Sequence, residues 1–376
     1  MGILAGGKIN PELTDGNDLG YIGAIPFAEI VPMRTSDTVI ILDNDNFVEA
    51  IEYAIETKCE VVTMSMGGKP SKKMARVVDE AYEHGITIVT AAGNNITGGS
   101  LKVKFGPKTL IFPSKFPRVI AACGACYNHC PYDFEAQKKH TNGLNDLSGT
   151  RGFDVSKMQG NWGPPQAMHY AMAAYTPNTP WLMMDGRIVK SGGGTSSATP
   201  QIAAAAALWI VNNKKGLKER GWHGTWKQVE AVRYALFNSA DKSFAESEKY
   251  YGQGVLKARD AILNFPIERI KEEDLVKSPK GRSSWLGISS MVKMVMAKQR
   301  GVDSGLQILQ ETMGMEIQDI LFSTENGIEL LENIDFSQPL NENELAQMRD
   351  LILQSNSTGT LKAFFQTTNK REHTIL

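Results

Sequence analysis

The sequence predicts an α/β fold in three layers, with a mainly parallel, twisted sheet between two layers of helices. Strand-like and helix-like segments alternate along the first part of the chain, which is typical of parallel sheets covered by helices. Short apolar runs bounded by turn residues supply the predicted strands, and segments with helical spacing separate them. The predicted strands cover residues 28–34, 60–66, 86–92 and 119–125, and the first two predicted helices cover residues 47–58 and 71–84.

The helix at residues 71–84 has the clearest local signals. Ser71 is a suitable N-cap, and Gly85 is a suitable C-terminal residue because glycine adopts the left-handed backbone conformation without strain. Between them, apolar side chains recur at helical spacing, so one face of the helix is expected to pack on the sheet. That face consists of Met74, Val77, Val78, Ala81 and Tyr82.

Composition and charge exclude several classes of protein. The chain has 376 residues, enough for one large domain with an appendage, and a net charge of −1, which argues against a nucleic-acid partner. No apolar run approaches the roughly 20 residues that span a bilayer, so no membrane association is expected. No signal peptide is visible, and the sequence indicates neither a compartment nor an oligomeric state.

A turn of small residues at 192–200 is the most informative local feature. Three glycines precede Thr195 and Ser196, and an alanine-rich apolar run follows. Such a turn holds a serine hydroxyl at the first turn of a buried helix, where free N–H groups and the helix dipole favour an oxyanion. The alternative is a glycine-rich turn in which Ser196 only caps the helix.

Three segments together resemble the subtilisin-like serine peptidases. Gly194-Thr195-Ser196-x-Ala198-x-Pro200 is similar to the signature around the active serine of that family. The segment 61–68 is similar to its substrate-binding strand, and the segment 85–94 to the strand that ends in its oxyanion-hole asparagine. The three occur in the order that the family has, so the chain is identified as a member.

The resemblance implies a role for each matching residue. Ser196 would be the nucleophile that forms an acyl-enzyme, and Asn94 would donate its side-chain N–H to the tetrahedral oxyanion. An extended polypeptide substrate would lie against a strand on one side of a pocket, and a second segment would form the opposite wall. The substrate-binding residues are then Ser65, Gly67 and Gly68 on the first side, and Ala92 and Gly93 on the other. Met66 and the absence of nearby charge predict a large or apolar residue before the scissile bond.

The aspartate and histidine motifs of the family are missing from the expected positions. A serine hydroxyl needs a general base and a group that orients the base. The first residues, 1–7, are similar to the helix that follows the catalytic histidine, so both groups are expected to lie upstream of Met1. The chain is thus predicted to be an N-terminally incomplete serine endopeptidase, nearly inactive alone. The alternative is a non-catalytic, peptide-binding pseudopeptidase.

Two partial matches to the missing motifs are expected to be coincidental. His223-Gly224-Thr225 spells the histidine motif downstream of Ser196, but Thr225 is a suitable cap for a helix over residues 226–240. Asp15-Gly16 has no preceding strand and is typical of a polar turn.

Two clusters contain residue types that bind metals. Cys123, Cys126, His129 and Cys130 are compatible with structural or free thiols, with a zinc or iron–sulfur site, or with a disulfide, and the first of these is favoured. No cofactor is expected to be required. A structural calcium ion is compatible with Asp43-Asn44-Asp45-Asn46, although these residues are expected to cap the helix at Phe47.

The sequence divides into three regions. Residues 1–264 form the catalytic domain without its N-terminal part, because the resemblance ends at a segment similar to the one that closes the family's domain. Residues 265–284 are charged, contain proline and glycine, and are predicted to be a linker. Residues 285–376 contain amphipathic stretches, including 304–322 and 342–354, and are predicted to form a small, mainly helical region of unreadable role.

Overall fold

The computed structural model describes residues 2–10, 20–36, 40–41, 44–68, 70–97, 104–105, 109–127, 130–133, 136, 158–183, 185–244, 246–281 and 341–355, with isolated positions between 317 and 362. The strands are β1 Gly7–Lys8, β2 Tyr21–Ile22, β3 Ile40–Ile41, β4 Val61–Met64, β5 Gly67–Gly68, β6 Thr87–Ala91, β7 Asn94–Thr97, β8 Lys104–Phe105, β9 Val119–Ala125, β10 Met158–Gly160, β11 Ala171–Tyr175, β12 Thr179–Leu182 and β13 Ile188–Gly192. The helices are α1 Gly2–Ala5, α2 Asp45–Glu56, α3 Lys72–Glu83, α4 Pro165–Met168, α5 Thr195–Glu219, α6 Trp226–Ser239, α7 Ser247–Tyr251, α8 Ala258–Asn264 and α9 Glu342–Gln354.

A four-stranded parallel sheet forms the centre of the fold. Its strands lie in the order β4, β6, β9, β11, with Val61 beside Thr87 and Ile88 beside Val119 in the ladder. The two inner strands are buried along their whole length, as expected for strands covered by helices on both faces. Because all four strands are parallel, their carboxyl ends meet at one edge of the sheet.

Helices cover both faces of this sheet, so the predicted three-layer α/β fold is confirmed. Side chains alternate between the two faces along each strand. Val89 and Ile120 pack in one core with the long helix α5, whereas their neighbours Ile88 and Val119 pack in a second core with α2 and α3.

The helix predicted from Ser71 is confirmed in detail. Ser71 Oγ accepts a hydrogen bond from Met74 N at 3.0 Å, and α3 ends at Glu83. Gly85 follows with φ of 77°, the left-handed conformation that the sequence analysis assigns to it. The predicted face is buried throughout, since local capping and helical periodicity agree with the packing.

The strand predicted at residues 28–34 is wrong, because this segment has no regular secondary structure. Pro32 has no N–H to donate to a ladder, and Ala28 donates its N–H to Ile25 O at 3.0 Å in a local turn. The apolar pattern that suggested a strand has a different cause, since Ala28 and Ile30 pack against the core around α5.

The long polar segment 127–163 is predicted to be a surface excursion, and most of it lies outside the described residues. Tyr127 at its start is exposed, but its other described residues are buried or half-buried. Tyr132 is buried. β10 pairs antiparallel with β7, which is the strand that follows the central strand β6 along the chain. These ends therefore belong to the core beside the carboxyl edge of the sheet.

Residues 265–281, which the charge pattern assigns to a linker, pack closely on the rest of the domain. Ile267 and Ile270 are each 1% exposed and join the core around α5. Ile267 N donates to Asn213 Oδ1 at 2.8 Å, and Trp209 Nε1 donates to Phe265 O at 2.8 Å. The charged side chains of the segment, such as Glu273, point to solvent.

A buried polar network holds the far end of this segment. Ser278 Oγ donates to Glu230 Oε1 at 2.7 Å and accepts from Arg233 Nη1 at 2.7 Å. Ser278 N donates to Tyr82 OH at 2.9 Å, and Arg118 Nε donates to Ser278 O at 3.1 Å. Burial raises the pKa of Tyr82, so its hydroxyl stays protonated and donates to Glu230.

Little of the C-terminal region 285–376 is described. The helix predicted at 342–354 is confirmed as α9, with a capping box between Asn341 and Glu344. Most of the stretch predicted at 304–322 lies outside the described residues. No helix in the described part of the chain is long and apolar enough to cross a membrane.

We expect Ile267→Ala to lower the free energy of unfolding by about 2–5 kcal/mol, because it removes a core side chain and leaves a cavity. Val276→Ala is the matched control in the same segment, since Val276 is 77% exposed and its truncation should change stability by less than about 0.5 kcal/mol. Urea denaturation of both variants measures the difference. Equal and small effects would show that the segment behaves as a linker.

Candidate active site

Ser196 lies in the first turn of α5, at the carboxyl edge of the central sheet. Gly194 precedes the helix with φ of 77° and ψ of 165°, a conformation that favours glycine and turns the chain sharply into the helix. Ser196 is half-buried, whereas Thr195 and Ser197 on either side are fully buried. No described residue bonds to Ser196 Oγ or to its N–H, so both groups are available at the helix N-terminus.

Thr195 connects this turn to the end of β6. Its hydroxyl donates to Gly93 O at 3.0 Å, and the same oxygen accepts from Gly93 N at 3.2 Å. One side chain therefore contacts both backbone groups of Gly93, and Gly93 O also accepts from Asn161 N at 2.9 Å. This double contact holds the end of β6 against the residue before Ser196.

Asn94 faces the same turn with a defined orientation of its amide. Asn94 Oδ1 accepts from Thr195 N at 2.9 Å and from Thr195 Oγ1 at 3.3 Å. A backbone N–H can only donate, so the atom that it contacts must be the amide oxygen. Asn94 Nδ2 is thereby left without a partner among the described residues, and it can donate to an oxygen beside Ser196.

Ser65 approaches Ser196 from the other side. Ser65 Oγ donates to Ser196 O at 3.0 Å, and Ser65 directly follows β4. Ser196 is consequently flanked by the carboxyl ends of two parallel strands, β4 through Ser65 and β6 through Gly93. Sites in open parallel sheets form at this edge.

Gly67 and Gly68 lie in the same region, but their backbone is already paired within the chain. Gly67 pairs with Ile40 in the parallel contact between β5 and β3, and Gly68 N donates to Phe112 O at 2.9 Å. The sequence predicts that Gly67 offers free groups to an extended peptide. In this structure a peptide would have to displace β3 to pair there.

Ala92 is the remaining predicted wall residue, and it is fully buried. Its carbonyl accepts from Ile111 N at 3.0 Å, and its N–H donates to Ala122 O at 3.0 Å. Ala92 therefore positions the segment after Leu110 beside Gly93. All seven predicted site residues lie at one edge of the sheet, and Ser196, Asn94, Ser65 and Gly93 are the ones directly joined through α5.

Three further residues hold the turn around Ser196, and no sequence pattern predicts them. They are Tyr132, Thr176 and Trp181. Thr176 Oγ1 donates to Gly194 O at 3.0 Å, and Gly194 N donates to Tyr132 OH at 3.3 Å. Trp181 Nε1 donates to Ser197 Oγ, the hydroxyl of which bonds to the carbonyl of Gly193. No local sequence signal predicts these contacts, because each joins residues from different parts of the chain.

The described histidines lie away from Ser196. His223 Nε2 contacts Glu60 Oε1 at 3.1 Å, immediately before β4, and His84 and His169 also precede strands of the central sheet. All three are thus near the amino ends of the strands, and Ser196 is at the carboxyl ends. Thr225 caps α6 as predicted, with Thr225 Oγ1 accepting from Lys227 N. Asp15 lies outside the described residues.

The cysteine cluster offers thiols rather than thiolates. Cys123 is fully buried, and burial raises the pKa of its thiol to about 12, so it stays protonated at neutral pH. Burial also raises the pKa of Cys130. The four cysteines form no disulfide with one another, and no group of three or more metal-binding side chains is present among the described residues, which do not include His129.

The proposed calcium-compatible segment is also partly outside the described residues, which begin here at Asn44. Asn44 is the N-cap of α2, as predicted in part, although its side chain does not make the capping hydrogen bond. Asp45 Oδ1 bonds to Lys73 Nζ at 2.7 Å, which gives this carboxylate a cationic partner.

Comparison with known proteins identifies the class to which this fold and site belong. The model of the subtilase family matches residues 2–254, so the chain belongs to the subtilase family. The family resemblance inferred from the three motifs is therefore confirmed. The match ends close to the boundary at which the sequence resemblance ends.

Individual relatives show how much of the family fold the chain shares. Subtilisin E of Bacillus subtilis (strain 168) is 26% identical over 246 residues, which is 65% of this chain and 52% of the relative. Subtilisin of Bacillus pumilus is 27% identical over 248 residues, 65% of this chain and 72% of the relative. The patellamide maturation protease PatA has a similar solved structure, with a TM-score of 0.47 and 20% identity over 70% of this chain and 81% of PatA. The chain thus spans about half the length of subtilisin E.

We expect Thr195→Val to destabilise the protein by about 1–3 kcal/mol, because the isosteric side chain leaves the buried N–H of Gly93 without its acceptor, whereas Gly93 O keeps its hydrogen bond from Asn161 N. Thr195→Ser keeps the hydroxyl and serves as the control, with a smaller loss. Equilibrium unfolding in urea distinguishes them. If the valine variant were as stable as the serine variant, the contact with Gly93 would not be what holds the two segments together.

Proposed function

We propose that the chain carries the nucleophile and the oxyanion site of a serine-type endopeptidase, which cleaves polypeptides through an acyl-enzyme on Ser196. The observation that carries the proposal is the joint placement of Ser196 and Asn94 around Thr195. An accessible serine hydroxyl and an oriented amide N–H, both at a helix N-terminus, suit acyl transfer. Membership of the subtilase family supports the same reaction.

The proposed oxyanion site has two donors and a favourable field. Asn94 Nδ2 and the N–H of Ser196 would both donate to the oxygen of the tetrahedral intermediate. The first turn of α5 adds the positive end of a 25-residue helix. Because Thr195 and the strand end fix these groups before substrate binds, little reorganisation is needed when the charge develops.

The general base is the missing part. No histidine among the described residues lies at the carboxyl edge of the sheet, and the printed sequence has no His-Gly-Thr motif before Ser196. We infer that a base and the group that orients it come from polypeptide outside the described residues. Alone, the chain is expected to turn over very slowly, since removing the triad base of subtilisin costs about 10⁶-fold in turnover.

The absence of a base at the carboxyl edge, among the described residues, also supports a second candidate function. A pseudopeptidase would bind extended peptides near Ser65 without cleaving them. The proposed chemistry needs no cofactor, because nucleophile and donors are all provided by the chain. Reactivity of Ser196 therefore separates the two functions.

A fluorophosphonate probe tests the reactivity of Ser196. We expect labelling of a form extended upstream to the nearest in-frame start codon, much weaker labelling of the 376-residue chain, and none after Ser196→Ala in either form. Mass spectrometry of the labelled peptide identifies the modified residue. Two folded forms that both remain unlabelled would favour the pseudopeptidase.

Two substitutions at Asn94 test the oxyanion donor in the reactive form. Asn94→Ala removes both the N–H donor and the acceptor for Thr195 N, whereas Asn94→Asp keeps the acceptor, removes the donor and adds a negative charge that also opposes an oxyanion. We expect both to lower kcat by at least about 10²–10³-fold, the range known for loss of this donor in subtilisin. If Asn94→Asp kept most of the activity, Asn94 would act only through its bond to Thr195.

A further inference from the structure

One side chain occupies the space between the two glycine-lined segments that flank Ser196. It belongs to Ile111, in a segment that crosses from one wall to the other. Ile111 N donates to Ala92 O at 3.0 Å on the side of β6, and Phe112 O accepts from Gly68 N at 2.9 Å on the side of β5. The backbone at 111–112 thus forms the floor between the walls.

The Ile111 side chain rises from this floor and contacts both glycines. A Cβ atom built on Gly93 would lie 3.0 Å from Ile111 Cγ2 and 3.1 Å from Cδ1. A Cβ atom on Gly67 would collide with Ile111 Cδ1 and lie 2.6 Å from Cγ1. Asn161 Nδ2 also lies 2.7 Å from the position of a Cβ on Gly93, but Ile111, which is itself half-buried, is the side chain that meets both glycines.

This space opens toward the reactive groups. Gly93 is joined to Thr195 by two hydrogen bonds, and Ser65, two residues before Gly67, bonds to Ser196 O. Consider a substrate residue whose carbonyl carbon lies at Ser196 Oγ and whose carbonyl oxygen lies at Asn94 Nδ2. The side chain of that residue would reach the gap between the walls. Ile111 lies where that side chain would go.

We propose that Ile111 limits the residue whose carbonyl is attacked to small side chains, namely glycine, alanine and serine. The inference rests on the proposed function, and it replaces the expectation of a large or apolar residue drawn from Met66. Met66 packs instead with the core around α2 and α3. Large side chains are excluded because Ile111 fills the gap, and its backbone is held in place by hydrogen bonds of residues 111–112 to both walls.

Substrate selectivity measures this effect without depending on the amount of folded enzyme. In the form that labels at Ser196, kcat/KM is measured for two peptides that differ only in phenylalanine or alanine before the scissile bond. We expect the parent protein to prefer alanine, and Ile111→Gly to raise the Phe/Ala ratio by at least about 10²-fold, since one methylene already changes selectivity 10–200-fold. Ile111→Leu, which conserves the side-chain volume, is the matched control with a small change.

A binding measurement tests the pocket independently of catalysis. In a Ser196→Ala background of the 376-residue chain, calorimetry compares product-like peptides that end in alanine or phenylalanine. We expect the alanine peptide to bind more tightly, and Ile111→Gly to reverse the order. If the fluorophosphonate probe does not label Ser196 but Ile111→Gly still reverses the order of the two peptide affinities, the proposed reaction is rejected and the role of Ile111 is retained. A parent protein that prefers phenylalanine, a ratio that does not respond to Ile111→Gly, or the absence of binding by either peptide would each overturn the inference.

Discussion

The pair of hydrogen bonds between the Thr195 hydroxyl and the backbone of Gly93 is the contact on which the site depends. Gly93 ends the central strand β6, and Thr195 begins the central helix α5. One side chain therefore joins the sheet to the helix at the point where the reactive serine is presented. Asn94 extends the same contact, because its amide oxygen accepts the N–H of Thr195 and its amide nitrogen has no hydrogen-bond partner in the described part of the chain.

The parallel sheet explains why Ser196 and Asn94 lie together and why the described histidines lie elsewhere. All strands end at the same edge, so groups that follow β4 and β6 converge on the N-terminus of α5 without any long-range coincidence. The described histidines precede strands and therefore lie at the opposite edge. A base for Ser196 must lie at the carboxyl edge. A different side-chain rotamer of a described histidine cannot provide it, because these histidines are attached at the other edge of the sheet. His223, the motif match with the wrong position, is excluded by this geometry.

Local signals in the sequence predict those parts of the fold whose causes are local. The helix from Ser71 is predicted because cap, periodicity and C-terminal glycine are all within the segment. The strand at 28–34 is mispredicted because an apolar pattern shows that side chains are buried but not what their backbone pairs with. The segment 265–281 looks like a linker because charged residues outnumber its anchors, yet Ile267, Ile270 and Leu275 are buried and place it in the core. Contacts such as Thr176 with Gly194 have no sequence signal at all.

The glycines at the site show most clearly where a motif stops being informative. Gly67 and Gly93 are predicted to be pocket walls because a glycine leaves the space that a side chain would fill. Neither wall sends a side chain into the gap at these two positions. The size of the gap between the walls, however, is set by residues 111–112, which belong to a different segment and form hydrogen bonds to both walls. A side chain at either glycine would crowd Ile111, which occupies the gap between them. The room beside Ser196 thus depends on three segments together, and the two glycines alone do not reveal it.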